Sequence, residues 1–351
     1  MTSEPSPADI RRIATEEAFL VPEQLDAYRA IGKSAWGDPD LDFWRHTEHP
    51  RVARLLPRLL DLGEGRLKDM DDNGVAVQLL LLNTPGVQIF DPATATALAT
   101  VANDRLAEAI ARHPTRFAGL GAFAPQDPAG AVKEIERAMT KLHLSGLVVN
   151  SHTGGEYLDQ EKFWPILEAA EALGAALYIH PRIPPEAARG YRDHGLGGAV
   201  WGFMAEAGLH GMRLIASGAL DRFPKLQVVL GHLGEGLPYW IARADRMAAA
   251  LPGGPGGLKL KPSEYLQRNI SITTSGMNFH AGIKFCIEVL GADRILFAVD
   301  YPYDDSAFAV AQMDGAPIGA ADRAKIYHQN AERVFRLPAG AGIRRGTAAA
   351  A

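Results

Sequence analysis

The sequence predicts an α/β protein with a (β/α)₈ barrel of the TIM type. Most of its short apolar runs are continuously apolar, as are strands covered by helices on both faces. Segments with helical spacing of apolar residues alternate with these runs, which indicates a parallel sheet, and a count of eight favours a closed barrel. The predicted strands are Arg12–Glu16, Val75–Leu82, Phe117–Ala122, Gly146–Asn150, Ala175–His180, Gln227–His232, Ile270–Ser275 and Arg294–Asp300.

Helical spacing is clearest in three segments, Ala102–Arg112, Pro128–Leu142 and Glu161–Leu173. For the third helix we expect Asp159 as the N-cap and Gly174 as the glycine just past the C-terminus. No GxGxxG motif and no P-loop follows the first strand, which argues against nucleotide binding.

The predicted domain organisation is one barrel over residues 11–337, with flexible tails at 1–10 and 338–351. Two connections, Phe19–Asp72 and Pro181–Leu226, are too long for simple βα loops, and they follow strands 1 and 5. Such insertions form lids or subunit contacts. We therefore expect the second to cover the barrel or to join copies in a homodimer or homotetramer. Their notable side chains are Trp36, Trp44, His46 and His49 in the first, and Trp201, Phe203, Met204, Leu209 and Met212 in the second.

Composition narrows the function classes. The chain has 351 residues, of which 47% are hydrophobic and 22% charged, and its net charge is −5. Without a cluster of Lys and Arg, a nucleic-acid partner is not expected. No run approaches the length of a membrane span and the N-terminus has no signal-peptide pattern, so a cytoplasmic protein without membrane contact is predicted. The one cysteine, Cys286, lies in an apolar run and is interpreted as a buried, inert thiol.

Polar side chains end four of the predicted strands: Glu16, His180, His232 and Asp300. Each alone has an ordinary explanation as a surface acid, a cap or a turn residue. In a barrel, however, the carboxyl ends of the strands converge around one mouth. Two carboxylates and an imidazole suit a single divalent ion with coordination positions left open.

A second feature is the spacing of His232 and Glu235 in GHLGEG, where one turn of helix would bring the two side chains together. A carboxylate beside an imidazole raises its pKa and fixes its orientation, which suits proton transfer. A glutamate placed in the first turn of a helix by the helix dipole is an equally weighted alternative.

Four motifs, IATEEAF, HPR, LGHLGEGLPYW and RILFAVDYPY, resemble the decarboxylase branch of the amidohydrolase superfamily. The resemblance is to the 2,3-dihydroxybenzoate and γ-resorcylate decarboxylases, and it extends from Ile13 to Leu337. It implies that Glu16, His180 and Asp300 bind the metal. It also implies that Asp300, His232 and Glu235 form the catalytic group.

The same resemblance implies that Arg243 binds an acidic substrate. The first-strand motif departs from the HxH of hydrolytic amidohydrolases and from ExH, because Ala18 occupies the third place. Ala18 leaves a coordination position for water or a substrate oxygen. For one histidine and two carboxylates, Zn²⁺ is the expected metal, with Mn²⁺ or Mg²⁺ as alternatives.

Three functions remain open. The first is non-oxidative decarboxylation of a small, hydroxylated aromatic carboxylic acid, with Asp300 as proton donor. The second is metal-dependent hydrolysis of a lactone, amide or ester on the same scaffold. The third is a non-catalytic binding protein, for which Ala18 is the only support.

Overall fold

The architecture is a parallel eight-stranded barrel, as predicted. The computed structural model describes residues 6–31, 39–41, 44, 48–185, 190–191, 193–250 and 257–339. Within these, each strand pairs in parallel with the next along the chain. The strands are β1 Ile13–Phe19, β2 Val77–Leu82, β3 Phe117–Ala122, β4 Gly146–Asn150, β5 Leu177–His180, β6 Val228–Leu230, β7 Ile270–Thr273 and β8 Ile295–Leu296.

Backbone hydrogen bonds between β1 and the chain after β8 bring the two edges of the sheet together. The Thr15 amide donates to the Phe297 carbonyl at 3.0 Å, and the Ala18 amide donates to the Tyr301 carbonyl at 2.8 Å. The strands are buried along their whole length because helices cover the outside and side chains fill the inside. One continuous hydrophobic cluster extends from Ile10 to Phe335.

Helices follow the strands around the barrel. They are α1 Pro22–Ile31, α2 Pro50–Leu60, α3 Glu64–Asp72, α4 Pro92–Arg112, α5 Pro128–Thr140, α6 Trp164–Leu173, α7 Gly202–Ala216, α8 Ala219–Arg222, α9 Leu237–Ala250, α10 Pro262–Asn269, α11 His280–Leu290, α12 Ser306–Gly315, α13 Ala320–Ala324 and α14 Asn330–Val334. None of these described helices combines the length and apolar character needed to cross a bilayer.

Of the two caps predicted for α6, the structure contains the one at the C-terminus. Gly174, with φ +60°, ends α6 in the left-handed conformation, as predicted. The prediction of Asp159 as its N-cap was wrong. The Asp159 carboxylate instead accepts two bonds from Arg213 of α7, each at 2.9 Å, and a 3₁₀ turn, Glu161–Phe163, precedes the helix. A bidentate ion pair with a distant helix is invisible to a local pattern.

Four strands have a different carboxyl end from the one predicted. β1 continues to Phe19, so Glu16 lies within the strand, and its register against β2 shifts between Ala14 and Glu17. β6, β7 and β8 end earlier than expected, at Leu230, Thr273 and Leu296. The polar residues after them therefore lie on loops at the barrel mouth.

The two insertions meet above the barrel. Asp40 of the first accepts from the Arg182 guanidinium at 2.8 Å and from the Ile183 amide at 3.1 Å in the second, and both charged side chains are buried. Trp36 and His46 lie outside the described residues, whereas Trp44 is buried against Tyr28. At the N-terminus, the chain is packed before residue 11: Pro7–Asp9 form a 3₁₀ turn and Ile10 is buried.

Helix α7 is anchored to the end of β4 by a buried polar chain. Glu206 accepts from the Ser151 hydroxyl at 2.8 Å, and that hydroxyl lies 3.0 Å from His210 Nδ1. His210 Nε2 accepts from the Leu158 amide at 3.2 Å, so Nδ1 carries the proton of the neutral ring. Burial raises the pKa of Glu206 to about 8 and lowers the pKa of His210 to about 3.

This chain of bonds predicts a pH dependence of stability. A carboxyl group whose pKa rises on folding stabilises the protein while it is protonated, and that stability is lost as the pH rises through the folded pKa. We expect the free energy of unfolding to fall between pH 6.5 and 8.5, and to fall less in Glu206→Gln. Urea denaturation at both pH values measures this, and equal pH slopes in the two proteins would contradict it.

Candidate metal centre and active site

A buried carboxylate, that of Glu16, lies at the centre of the barrel mouth. Its Oε2 accepts from three hydroxyl groups, those of Tyr178, Thr273 and Ser275, on β5, on β7 and just after β7. Its Oε1 is buried and has no hydrogen-bond partner in the described residues. Because a buried unpaired carboxylate oxygen is costly, this atom indicates a place for a cation.

Three further donor atoms surround the Glu16 Oε1 side of the site. The Nε2 atoms of His180 and His232 each lie 3.8 Å from Oε1, and His232 Nε2 lies 3.8 Å from Asp300 Oδ2. Tetrahedral ligands about 2.1 Å from one ion are about 3.4 Å from each other, so these groups would have to move slightly closer together around a cation. Among the described residues no group of three or more His, Cys, Asp or Glu side chains is already close enough to hold an ion, and the case for a cation rests on the unpaired oxygen and on the pair distances.

The charge states of these groups suit a cation. Burial lowers the pKa of His180 to about 4, so its ring is neutral, which is the form that binds a metal. Burial alone would raise the pKa of Glu16, but His232, His180 and the hydroxyl donors lower it on balance. Glu16 thus lies beside His180 and His232, and His232 lies beside Asp300, whereas metal binding by Glu16, His180 and Asp300 stays a prediction.

Room for the Glu16 carboxylate depends on Gly231, which follows β6 by one residue. A Cβ atom at this position would lie 2.9 Å from both Glu16 carboxylate oxygens, closer than such atoms approach. The glycine of the LGH motif is therefore required by the close approach of the carboxylate.

His232 and Glu235 do pair, but not through the turn of ordinary helix that we expected. The four residues from His232 to Glu235 have φ values of +46°, +54°, +79° and +55°, a left-handed turn. His232 Nδ1 lies 2.8 Å from Glu235 Oε1, which leaves Nε2 directed at the centre. Burial alone would lower the pKa of His232, but the carboxylates of Glu235 and Glu16, together with the contact to Asp300, raise it well above its usual value.

Asp300 lies between the candidate metal centre and a cavity. Burial, with a contribution from Glu16, raises its pKa to about 7, so at neutral pH it exchanges between acid and carboxylate. Its side chain is 18% exposed, and it faces the cavity beside His180 and His232. A carboxyl group in this state can donate a proton to a bound molecule.

The cavity has a volume of about 610 Å³, in the range that takes a small aromatic ligand. Phe203 and Met204 of α7 line it, so the second insertion covers the barrel mouth as predicted, whereas Trp201 and Leu209 are exposed. The other lining residues away from the centre are Asp40, Trp44, His49, Arg51, Val52, Thr84, Pro181, Ile183, Gly198, Ala199, Gly276, Met277, Tyr303 and Asp304.

The arginine of this cavity is not the one that the sequence indicated. Arg243 lies on the exposed face of α9 and is not among the lining residues, so within its own chain it does not reach the cavity. Arg51, at the start of α2, lines the cavity instead. The sequence analysis missed Arg51 because it lies in a long insertion without a recognised motif. Substrate binding by Arg243 therefore stays a prediction, and within a single chain Arg243 does not line the cavity.

A closed parallel barrel with a polar, cation-suited centre at its carboxyl edge defines a metal-dependent barrel enzyme. A family model described as Amidohydrolase matches residues 38–337. The γ-resorcylate decarboxylase of Polaromonas sp. (strain JS666 / ATCC BAA-500) is 38% identical over 337 residues, which are 93% of this chain and 98% of that protein. The chain belongs to the amidohydrolase family and, within it, to the branch of aromatic acid decarboxylases.

Solved structures agree with this membership. The 5-carboxyvanillate decarboxylase of Sphingomonas paucimobilis has a TM-score of 0.90 at 47% identity, covering 94% of this chain and 100% of that one. The enzyme of that name from Novosphingobium aromaticivorans DSM 12444, complexed with manganese and 4-hydroxy-3-methoxy-5-nitrobenzoic acid, has a TM-score of 0.91 at 41% identity, covering 94% and 97%. Relatives with bound manganese support one divalent metal ion in this family branch.

The close approach of Gly231 to Glu16 generates a test of the metal site that leaves every candidate ligand in place. We expect Gly231→Ala to displace the Glu16 carboxylate and to weaken manganese binding by about 10–100-fold, as changes next to metal ligands do. Gly319→Ala is the matched control, since nothing lies within 4 Å of its added Cβ. Titration of both variants with manganese measures the affinity, and equal affinities would show that Gly231 is not needed to place the Glu16 carboxylate.

Proposed function

We propose that the chain is a metal-dependent, non-oxidative decarboxylase of a hydroxylated aromatic carboxylic acid, a carboxy-lyase. The observation that carries this proposal is Asp300, a carboxyl group with a pKa of about 7 between the candidate metal centre and a largely apolar cavity. A group with this pKa can protonate a ring carbon at neutral pH. The decarboxylases among the relatives support the same reaction.

Glu16, His180 and Asp300 would hold the ion, with His232 beside them. When bound, a divalent ion supplies electrostatic stabilisation of a phenolate and a neighbouring carboxylate. His232, oriented by Glu235, can accept the proton of the substrate hydroxyl only in its neutral form, because Glu235 and Glu16 raise its pKa well above the usual value. The positive charge of a bound ion would favour that neutral form. Asp300 then donates its proton to the ring carbon that bears the carboxylate. The bond from this carbon to the carboxylate breaks, CO₂ leaves, and the electron pair of that bond restores the aromatic ring.

For the substrate we propose a hydroxybenzoate with a second carboxylate, of the 5-carboxyvanillate type. The relatives named for that substrate are 40–47% identical, against 36–38% for those named for γ-resorcylate. Arg51 lines the cavity and is not one of the candidate metal ligands. Its positive charge can bind the carboxylate that the substrate keeps after decarboxylation. For the metal we propose Mn²⁺ rather than the Zn²⁺ that the ligand chemistry suggested, because solved relatives hold manganese.

Hydrolysis of a lactone, amide or ester is the competing function on this scaffold. The relatives favour decarboxylation, since those named at 36–47% identity are decarboxylases. Release of CO₂ from 5-carboxyvanillate, measured beside a panel of lactones, separates the two. We further propose a homodimer or homotetramer, because Arg243 could reach a substrate only across an interface with a second copy.

Replacement of Asp300, the proposed proton donor, tests its role in the reaction separately from any effect on folding. We expect Asp300→Asn to lower kcat by at least about 10²-fold, because asparagine is similar in shape but cannot act as an acid. Circular dichroism should be unchanged. Glu235→Gln should retain more bound metal, since Glu235 contacts His232 rather than the centre. Turnover of more than about a tenth of wild type in Asp300→Asn would refute the role of the acid.

Replacement of Arg51 tests whether the substrate carries a second carboxylate. We expect Arg51→Met to raise KM for 5-carboxyvanillate by about 10–100-fold, the loss of one charge-assisted hydrogen bond, with a smaller change in kcat. For γ-resorcylate, which has no second carboxylate, the change in KM should be smaller. Steady-state kinetics with both substrates provide the measurement, and equal changes would mean that Arg51 does not recognise the second carboxylate.

A further inference from the structure

Glu17, the second acid of the TEE motif, is fully buried and is not among the residues that line the cavity. Its two carboxylate oxygens each accept one backbone hydrogen bond: Oε1 from the Val299 amide at 3.0 Å and Oε2 from the Tyr301 amide at 3.0 Å. These amides belong to the residues immediately before and after Asp300. We propose that Glu17 is a positioning residue, which fixes the backbone of Asp300 and thereby aims its carboxyl group at the substrate.

Asp300 needs such support because its own backbone conformation is unfavourable. Its φ is +79°, a value that residues other than glycine rarely adopt. The conformation persists only where surrounding bonds fix it. Beyond the two bonds to Glu17, the Ala18 amide donates to the Tyr301 carbonyl at 2.8 Å, and the Tyr303 amide donates to the Asp300 carbonyl at 2.8 Å. The next residue of β1 thus holds the same loop.

Arg66 of α3 supports this arrangement from behind and is itself buried. Its guanidinium donates to the Ala18 carbonyl at 2.7 Å and to Gln78 Oε1 at 3.2 Å, and it lies over the Tyr301 ring at 4.6 Å from the centroid. Burial raises the pKa of Glu17 to about 8, against the opposing effects of the two amides and of the Arg66 charge. The side chain of Glu17 is therefore held on the side away from the cavity.

Glu16 and Glu17, which are adjacent in β1, have different roles. Side chains alternate between the two faces of a strand, so Glu16 faces the centre while Glu17 faces the loop after β8. Glu17 thereby links the backbone of β1, which carries Glu16, to the backbone on both sides of Asp300. Loss of this link would move the acid relative to the ring carbon that it protonates.

The test uses Glu17→Gln in the manganese-loaded enzyme. Glutamine keeps one acceptor oxygen but turns an NH₂ group toward the other amide, so one of the two bonds is lost. Glu134→Gln is the matched control: Glu134 is a buried acid on α5 that accepts from Asn103 at 2.7 Å and from Arg137 at 2.8 Å, outside the cavity. Both variants should lose stability, and only Glu17→Gln should lose turnover.

We expect kcat of Glu17→Gln with 5-carboxyvanillate, measured at saturating manganese, to fall about 10²-fold, the size of effect that a displacement of about 1 Å causes, with KM near wild type. Glu17→Asp, which keeps both oxygens on a shorter chain, should recover part of kcat. In an Asp300→Asn background, Glu17→Gln should have little further effect, because both changes act through the same acid. An equal loss of kcat in Glu134→Gln would overturn the proposal.

A second measurement does not depend on catalysis. Hydrogen–deuterium exchange of a peptide spanning residues 297–303 should be faster in Glu17→Gln than in wild type and unchanged in Glu134→Gln. Unchanged exchange in Glu17→Gln would show that the two bonds do not hold the loop, and the inference would fail. Since the inference rests on the proposed function, absence of CO₂ release by the wild type would reject that function alone, and the exchange result would still decide on Glu17.

Discussion

A buried carboxylate with one oxygen fully bonded and the other unpaired is the constraint on which this site depends. Three hydroxyl groups fix Glu16 Oε2, so Oε1 can face only the imidazoles of His180 and His232. This oxygen is buried, so its charge needs a partner there. The strand register and the glycine at the end of β6 are arranged so that this carboxylate can lie where it does.

Unusual backbone conformations are concentrated around that carboxylate. His232, Leu233, Glu235 and Asp300 all have positive φ values. Such conformations are costly, and they are found where the surrounding structure fixes them for a functional reason. In this protein they turn a histidine and an aspartate from two loops toward one point. The hydrogen bonds from Glu17 and the Glu235–His232 pair are the interactions that hold those two side chains in place.

The cavity connects the candidate metal centre with the two insertions. His180, His232 and Asp300, at the barrel mouth, line one part of it, and Arg51, Phe203 and Met204 of the insertions line another. The buried ion pair between Asp40 and Arg182 joins the insertions to each other. Chemistry and substrate selection are therefore separable, because changes in the insertions can alter the cavity while the barrel keeps the reacting groups fixed.

The sequence alone determined the barrel and most of the centre, since apolar runs encode buried strands and their ends converge in any such barrel. It therefore predicted Glu16, His180, His232 and Asp300 at one mouth of the barrel, where Glu16 lies beside both histidines and His232 lies beside Asp300. Only the tertiary structure decided how the side chains are bonded and placed: the bonds from Glu17 to the amides beside Asp300, the left-handed turn that pairs His232 with Glu235, and the placement of Arg51 rather than Arg243 in the cavity. These features depend on contacts between residues distant in sequence, which no local pattern contains.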